Sequence, residues 1–100
     1  MAYRIGPEDR HYVEEFRARP IGHHSAGLAR VLNTLRRDPS GRQLVLLTLT
    51  PFQEWAIAWL PQRRGDQVVI ESNRIFTSRE EAEWAVFCRR WERHTGERIG

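Results

Sequence analysis

Residues 78–94 predict one helix that carries apolar side chains on two opposite sides. At about 100° per residue, large aromatic side chains fall on one stripe and small side chains on the opposite one. The aromatic stripe contains Trp84, Phe87, Cys88 and Trp91, and the small-residue stripe contains Ala82, Ala85 and Val86. A helix that covers a single core needs one apolar stripe, so this helix is expected to be buried against two surfaces. In so short a chain, one of those surfaces can belong to another protein.

The length of 100 residues predicts one domain with a core of modest size. A content of 40% hydrophobic and 29% charged residues is typical of a soluble globular domain. No apolar run approaches the ~20 residues of a membrane span, and no signal peptide is recognised at the start of the sequence. The single cysteine, Cys88, cannot form an internal disulfide, and this favours a cytoplasmic location.

The hydrophobic pattern predicts an α+β fold in which helices pack on a small two- or three-stranded sheet. Strands are expected at about residues 43–49 and 67–72, with 75–76 as an optional short third strand. Helices are expected at about residues 7–19, 25–37, 51–60 and 78–94. The predicted order is therefore helix, helix, strand, helix, strand, short strand, helix, all within a single domain of residues 1–100.

Local signals support several of these elements. Ser25 is a suitable N-cap for the second helix, and Thr77 or Ser78 for the last one. Strand 43–49 is apolar on both faces, which favours a central position in the sheet. The helix at 51–60 is predicted from a capping-box pattern at residues 50–53 and from helical spacing of the apolar residues Phe52, Trp55, Ala56, Trp59 and Leu60.

Residue types that support catalysis or metal binding are present but do not form a recognisable site. His23 and His24 are neighbours whose side chains diverge, and Cys88 and His94 show no metal-ligand spacing. We interpret the two adjacent histidines as surface or capping residues in a turn. The sequence contains no glycine-rich phosphate loop and no nucleophile motif. It therefore predicts no catalytic, cofactor-binding or metal-binding residues in this chain.

The basic character of the chain raises the question of nucleic-acid binding. The sequence pI is about 10.0, and all sixteen basic residues are arginines. Acidic residues are interleaved with these arginines, however, and no predicted helix has an arginine-rich face free of glutamate. Arginine and tryptophan are also the residues that dominate protein–protein hot spots. Nucleic-acid binding is therefore the less favoured hypothesis.

Short segments spread along the chain resemble the small subunit of N,N-dimethylformamidase, an amidohydrolase built of large and small chains. The resemblance extends over about residues 18–92 and keeps the same order throughout. It is carried by Pro20-Ile21-Gly22, His23, Ser25, Leu28, Arg30, Val31, Asn33, Glu54-Trp55, Phe76, Glu80-Glu81-Ala82, Ala85-Val86-Phe87, Arg89-Arg90 and Glu92.

The resemblance implies a division of labour between two subunits. In that family the large subunit carries a mononuclear iron site and hydrolyses dimethylformamide to dimethylamine and formate. The small subunit has no catalytic residues and packs against the large one. The resemblance therefore implies that this chain is a non-catalytic subunit that stabilises a large catalytic partner, with iron only in that partner.

The candidate partner interface begins with the aromatic stripe of the last helix. Trp84, Phe87 and Trp91 would anchor a partner, with Arg89 and Arg90 around them. In the alternative, helices 7–19 and 25–37 fold back over this stripe within the monomer. The interface would then lie on an exposed face of those helices, where the candidate contacts are Arg30 and Asn33. His23 is a further candidate interface residue. A second hypothesis for function is a stand-alone binding module that forms a homodimer.

Overall fold

The computed structural model describes residues 3–71 and 74–99. The chain forms a 3-10 helix at Pro7–Asp9, helix α1 at His11–Ala18, helix α2 at Ala26–Leu35, strand β1 at Leu44–Thr50, strand β2 at Glu54–Trp59, strand β3 at Val69–Ile70 and helix α3 at Arg79–Thr95. The predicted α+β class, with two helices before the strands and one helix after them, is confirmed. None of the described helices is long and apolar enough to cross a membrane.

Helix α3 is the middle layer of the fold and lies between two hydrophobic clusters. The first cluster joins α3 to α1 and α2 and contains Val13, Phe16, Leu28, Val31, Leu35, Phe87 and Trp91. The second joins α3 to the sheet and contains Leu44, Trp55, Ile57, Phe76, Ala82 and Val86. Most of both apolar sides of this helix is therefore buried, and both covering surfaces belong to the same chain.

The sheet is antiparallel, with the strand order β1-β2-β3. Strands β1 and β2 form a hairpin in which Leu44 pairs with Trp59 and Leu46 with Ile57. Residues 43–49 were predicted to be central because both faces are apolar, but β1 lies at an edge of the sheet. The central position belongs to β2, which the sequence pattern did not identify as a strand.

The predicted helix at residues 51–60 is wrong, since Glu54–Trp59 forms β2. A run of six mostly apolar residues fits both helical and strand periods, so its period alone cannot decide. Tryptophan and isoleucine favour a pleated surface, and pairing with β1 satisfies the backbone groups of both strands. The expected capping box is instead a hairpin turn, in which the Gln53 N–H donates to the Thr50 carbonyl oxygen at 3.0 Å.

Several predicted boundaries also change. The first helix is divided into the 3-10 turn and α1, and the second ends at Leu35 instead of residue 37. The predicted strand at 67–72 shortens to Val69–Ile70, and residue 72 lies outside the described residues. The optional strand at 75–76 is a single bridge between Phe76 and Trp55.

The predicted N-caps are confirmed at two helices. The Ser25 Oγ accepts a hydrogen bond from the Leu28 N–H at 3.2 Å, and the Ser78 Oγ accepts one from the Glu81 N–H at 3.3 Å. Each serine thus satisfies a backbone donor that the first turn of its helix leaves without a partner. Helix α3 ends at Gly96, whose φ of 80° is the left-handed conformation that glycine adopts without strain.

Candidate partner interface

The sheet has one face against α3 and a second face that points away from it. Side chains alternate between the two faces along each strand, so cross-strand partners share a face. Leu44, Leu46 and Ile57 pack with α3 in the second cluster. The remaining paired positions form the outer sheet face, which consists of Val45 and Leu47 of β1, Ala56 and Ala58 of β2, and Ile70 of β3. Leu49 has no cross-strand partner, because a β-bulge lies between Thr48 and Thr50, and it adjoins this face along β1.

The outer sheet face is entirely apolar. Ala56 and Ala58 at its centre are buried, Val45 and Leu47 are half-buried, and Ile70 and the adjoining Leu49 are exposed. No charged residue occurs between positions 43 and 53, although 29% of the chain is charged. Contiguous apolar surface of this kind on a small protein marks an interaction site more often than scattered exposed residues do.

Strand β1 also has a free hydrogen-bonding edge in the described part of the chain. The Leu60 N–H donates to the Gln43 carbonyl oxygen at 2.9 Å. Backbone groups of alternate residues in an antiparallel strand point to opposite edges, so this bond shows that residues 43, 45 and 47 face β2. The backbone groups of residues 44, 46 and 48 therefore point away from β2. Exposed edges of this kind are templates for pairing with another strand.

Arg90 covers the beginning of this edge. Its Nε and Nη2 atoms donate to the Leu44 carbonyl oxygen at 2.9 and 2.6 Å. Desolvation by burial lowers the pKa of Arg90. Arg90 was predicted to contact a partner protein, but in the structure it binds Leu44 of its own chain. The edge groups of residues 46 and 48 lie beyond this contact, toward the hairpin turn.

The hairpin turn presents an aromatic side chain at its tip. Phe52 is 91% exposed and adopts a φ of 64°. It follows Pro51 in a turn closed by the hydrogen bond between residues 53 and 50. The Thr50 Oγ1 also donates to the Glu54 Oε1 at 2.7 Å, which ties the two ends of the turn together.

The aromatic stripe of α3 is largely covered within the chain. Phe87 and Trp91 are 1% and 2% exposed, and the Phe87 ring stacks on Phe16 at a centroid distance of 4.3 Å. Trp84 is half-buried, and the Arg17 guanidinium lies 5.5 Å from its ring centroid. Helices α1 and α2 thus fold over the stripe, as the alternative arrangement predicted. Neither Phe87 nor Trp91 offers surface to a partner in this conformation.

The other candidate interface residues are spread over different parts of the molecule. Arg89 forms an ion pair with Glu71 and donates to Glu92 at 3.3 Å. Arg30 and Asn33 are exposed on α2, and Arg30 lies 4.5 Å above the Tyr3 ring. His23 is exposed in the bend between α1 and α2. These last three residues lie in the helical layer on the other side of α3, and the fold does not join them to the outer sheet face.

One sequence signal could have located the outer sheet face. Residues 43–53 lack charge and alternate apolar side chains on both faces of the predicted strand. That pattern was interpreted as a central strand, because a buried strand has the same composition as an edge strand with one uncovered apolar face. Only the position of β2 distinguishes the two cases.

Among residues 3–71 and 74–99, no three histidine, cysteine, aspartate or glutamate residues are placed to hold a metal ion. Desolvation by burial raises the pKa of the Cys88 thiol to about 11. A thiol with so high a pKa is a poor nucleophile at neutral pH.

The fold and this surface define a small α+β domain with one apolar sheet face that α3 does not cover. The family model of the N,N-dimethylformamidase alpha subunit matches residues 8–98. The chain therefore belongs to the N,N-dimethylformamidase alpha subunit family, as the resemblance predicted. None of the curated proteins compared with the chain gives a significant match. Membership in an alpha-subunit family points to a partner subunit.

Proposed function

We propose that this chain is the non-catalytic small subunit of a dimethylformamidase-like amidohydrolase and that it stabilises a large catalytic subunit. Hydrolysis of the amide, and the iron that supports it, would belong to the large subunit. The observation that carries the proposal is the outer sheet face, which is apolar, free of charge and not covered by α3. The unpaired Cys88 is consistent with a complex in the cytoplasm.

The energetics of the outer sheet face suit association. Complete burial of a leucine or isoleucine side chain contributes about 1.5–3 kcal/mol, and Leu49 and Ile70 have part of that contribution still to gain. The face is also held in place before binding, because β1 and β2 are packed on α3 from behind. A surface that is already ordered loses little conformational entropy when a partner covers it.

Co-expression with the large subunit tests this proposal directly. We expect the two chains to co-purify as a stable complex, and we expect the yield of soluble large subunit to fall when the small chain is omitted. Glutamate at position 49 would bury a charge in the interface, so Leu49→Glu should weaken binding at least tenfold, about 1.4 kcal/mol. A wild-type chain that fails to bind, or a Leu49→Glu variant that binds normally, would contradict the proposal.

Ile21→Glu is a matched control for this substitution. Ile21 is 42% exposed and Leu49 is 39% exposed, so both changes place a carboxylate on a similarly accessible apolar side chain. Ile21 lies in the bend between α1 and α2, on the other side of α3 from the sheet. Its substitution should leave the affinity for the large subunit unchanged.

The free edge of β1 supports a homodimer as the second candidate function. Two copies could pair their β1 strands antiparallel about a two-fold axis and form one continuous sheet. Sedimentation of the purified chain without the large subunit distinguishes the two functions. A stable dimer that persists at high salt would favour the stand-alone module.

A further inference from the structure

We propose that Phe52 is the principal anchor of the complex and inserts into an apolar pocket of the large subunit. This inference rests on the proposed function, and it names the side chain that makes the central contact. It differs from the sequence-based expectation, which placed the anchor on the aromatic stripe of α3.

Phe52 is exposed to an unusual degree for a large aromatic residue. Its side chain is 91% exposed, whereas the next most exposed large hydrophobic among the described residues, Val69, is 53% exposed. The ring therefore gains almost nothing from the hydrophobic core of its own chain. Complete burial of an aromatic side chain removes 150–250 Å² from water, so a partner has most of this area still to cover.

The backbone of Phe52 indicates that the turn does not require this residue type. A φ of 64° lies in the left-handed region, which is unfavourable for bulky L-residues and suits glycine or asparagine. Proline followed by a residue with positive φ is the pattern of a type II turn, where glycine is the usual choice. Phenylalanine thus makes this turn less stable, and contacts within the chain do little to offset the cost.

The turn holds the backbone of Phe52 in a defined position. Pro51 restricts the backbone before it, and the hydrogen bonds from Gln53 to Thr50 and from Thr50 to Glu54 close the loop behind it. A side chain on a closed turn loses less backbone entropy on binding than one on a flexible loop. Tryptophan, tyrosine and other large side chains that fill a pocket at the centre of an interface contribute most of its affinity.

The character of the surrounding surface defines the kind of pocket that fits. Residues 43–53 carry no charge, and the exposed Leu49 lies three residues before Phe52 in this segment. Phe52 also lines a groove that contains the charged side chains of Arg79 and Glu83. The complementary surface on the large subunit should therefore combine an apolar pocket for the ring with polar groups that face these two charges.

A second copy of this chain is a poorer receptor for the ring. Among the described residues, the five most pronounced grooves each include at least one charged side chain, such as Arg79 and Glu83 beside the turn or Arg10 and Glu97 beside the first helix. Insertion of Phe52 into any of these grooves would desolvate a charge. We therefore assign the pocket that receives Phe52 to the large subunit.

The test compares Phe52→Asn with Phe52→Tyr in the full chain. Affinity for the co-expressed dimethylformamidase-type large subunit is measured by titration, and stability of the isolated chain by its unfolding midpoint. Asparagine tolerates the left-handed backbone and removes the ring, so Phe52→Asn should weaken binding about 30-fold, or about 2 kcal/mol. The unfolding midpoint of Phe52→Asn should stay the same or rise, because asparagine adopts the left-handed backbone conformation with less strain than phenylalanine. Phe52→Tyr should keep the affinity within about threefold.

Four results would overturn the proposal, and they separate its failure from that of the proposed function. If Phe52→Asn binds normally while Leu49→Glu does not, the complex exists and Phe52 is not its anchor. If the wild-type chain does not bind the large subunit, both proposals fail. A lower unfolding midpoint of Phe52→Asn would show that the ring supports the fold instead. A wild-type dimer that this substitution dissociates would make a second copy the occupant.

Discussion

Arg93 binds Asp38 through two parallel hydrogen bonds, from Nε to Oδ1 at 2.7 Å and from Nη2 to Oδ2 at 2.9 Å. The side chain of Asp38 is only 3% exposed, and it also accepts a hydrogen bond from the Ser40 N–H at 2.9 Å. This contact joins α3 to the loop that leads into β1. It therefore fixes the point at which the chain enters the sheet.

Substitution of Asp38 should destabilise the fold. Asp38→Asn keeps the size of the side chain but removes the charge that Arg93 contacts, so we expect a loss of about 1–3 kcal/mol of unfolding free energy. Denaturation in urea at neutral pH measures this loss. Asp66→Asn is a suitable control because Asp66 is exposed. A loss no larger than that of the control would show that the Arg93 contact contributes little.

The same carboxylate should make stability depend on acid. The hydrogen bond from Arg93 is the main cause that holds the pKa of Asp38 well below its usual range. The folded state then binds fewer protons than the unfolded chain, in which an aspartate titrates near ~3.9. The stabilisation that the Asp38 carboxylate provides is fully present above the unfolded pKa of ~3.9, and it is lost as the pH falls toward the lower pKa of the folded state. Unfolding free energies between pH 6 and 3 should therefore fall more steeply for the wild type than for Asp38→Asn; equal slopes would contradict this.

Arg90 should protect the edge of β1. Arg90→Met keeps the apolar stem but leaves the Leu44 carbonyl oxygen without its two donors, so we expect a loss of about 1–3 kcal/mol of stability. The uncovered edge should also increase self-association of the isolated chain. Urea denaturation and light scattering measure the two effects. Arg90→Lys should show an intermediate loss, because a lysine cannot make the same two-atom contact.

The aromatic stripe of α3 should behave as core. Phe87→Ala removes a fully buried ring and should cost about 3–5 kcal/mol, much of the stability of a domain of this size. Trp84→Ala should cost less, because Trp84 is only half-buried. Thermal unfolding of the two variants gives the comparison. If both substitutions lower the stability by the same small amount, Phe87 is not a core residue and is again a candidate partner contact.

Cys88 should react slowly in the folded chain. Burial raises the pKa of its thiol to about 11, so only about one thiol in 10³ is a thiolate at pH 8. Alkylation at pH 8 should be slow in buffer and fast in denaturing urea, and the native rate should rise with pH. Rapid native alkylation at neutral pH would instead indicate an accessible thiolate.

The helices of this chain could be predicted from sequence because their signals are local. Serine caps, a C-terminal glycine and apolar residues at helical spacing define α2 and α3, and the two-sided pattern of α3 correctly implied two covering layers. The strand β2 could not be identified in the same way. Its tryptophans and alanines satisfy a helical period as well as a strand period, and the choice depends on pairing with β1.

The location of exposed apolar surface was harder to predict than its presence. Periodicity shows that Phe87 and Trp91 must be covered, but it does not show whether the cover comes from α1 and α2 or from a partner. Phe52 was assigned to the buried stripe of a helix because its spacing to Trp55 fits one. The hairpin instead moves it to the tip of a turn, where its exposure is a property of tertiary structure alone.

The position of α3 between the helical pair and the sheet has a consequence for folding. Removal of either layer would leave one side of α3 in water, so neither the helices nor the hairpin forms a separately stable unit around it. The chain should therefore melt in a single cooperative step, and fragments that contain α3 with only one of its two layers should remain unfolded.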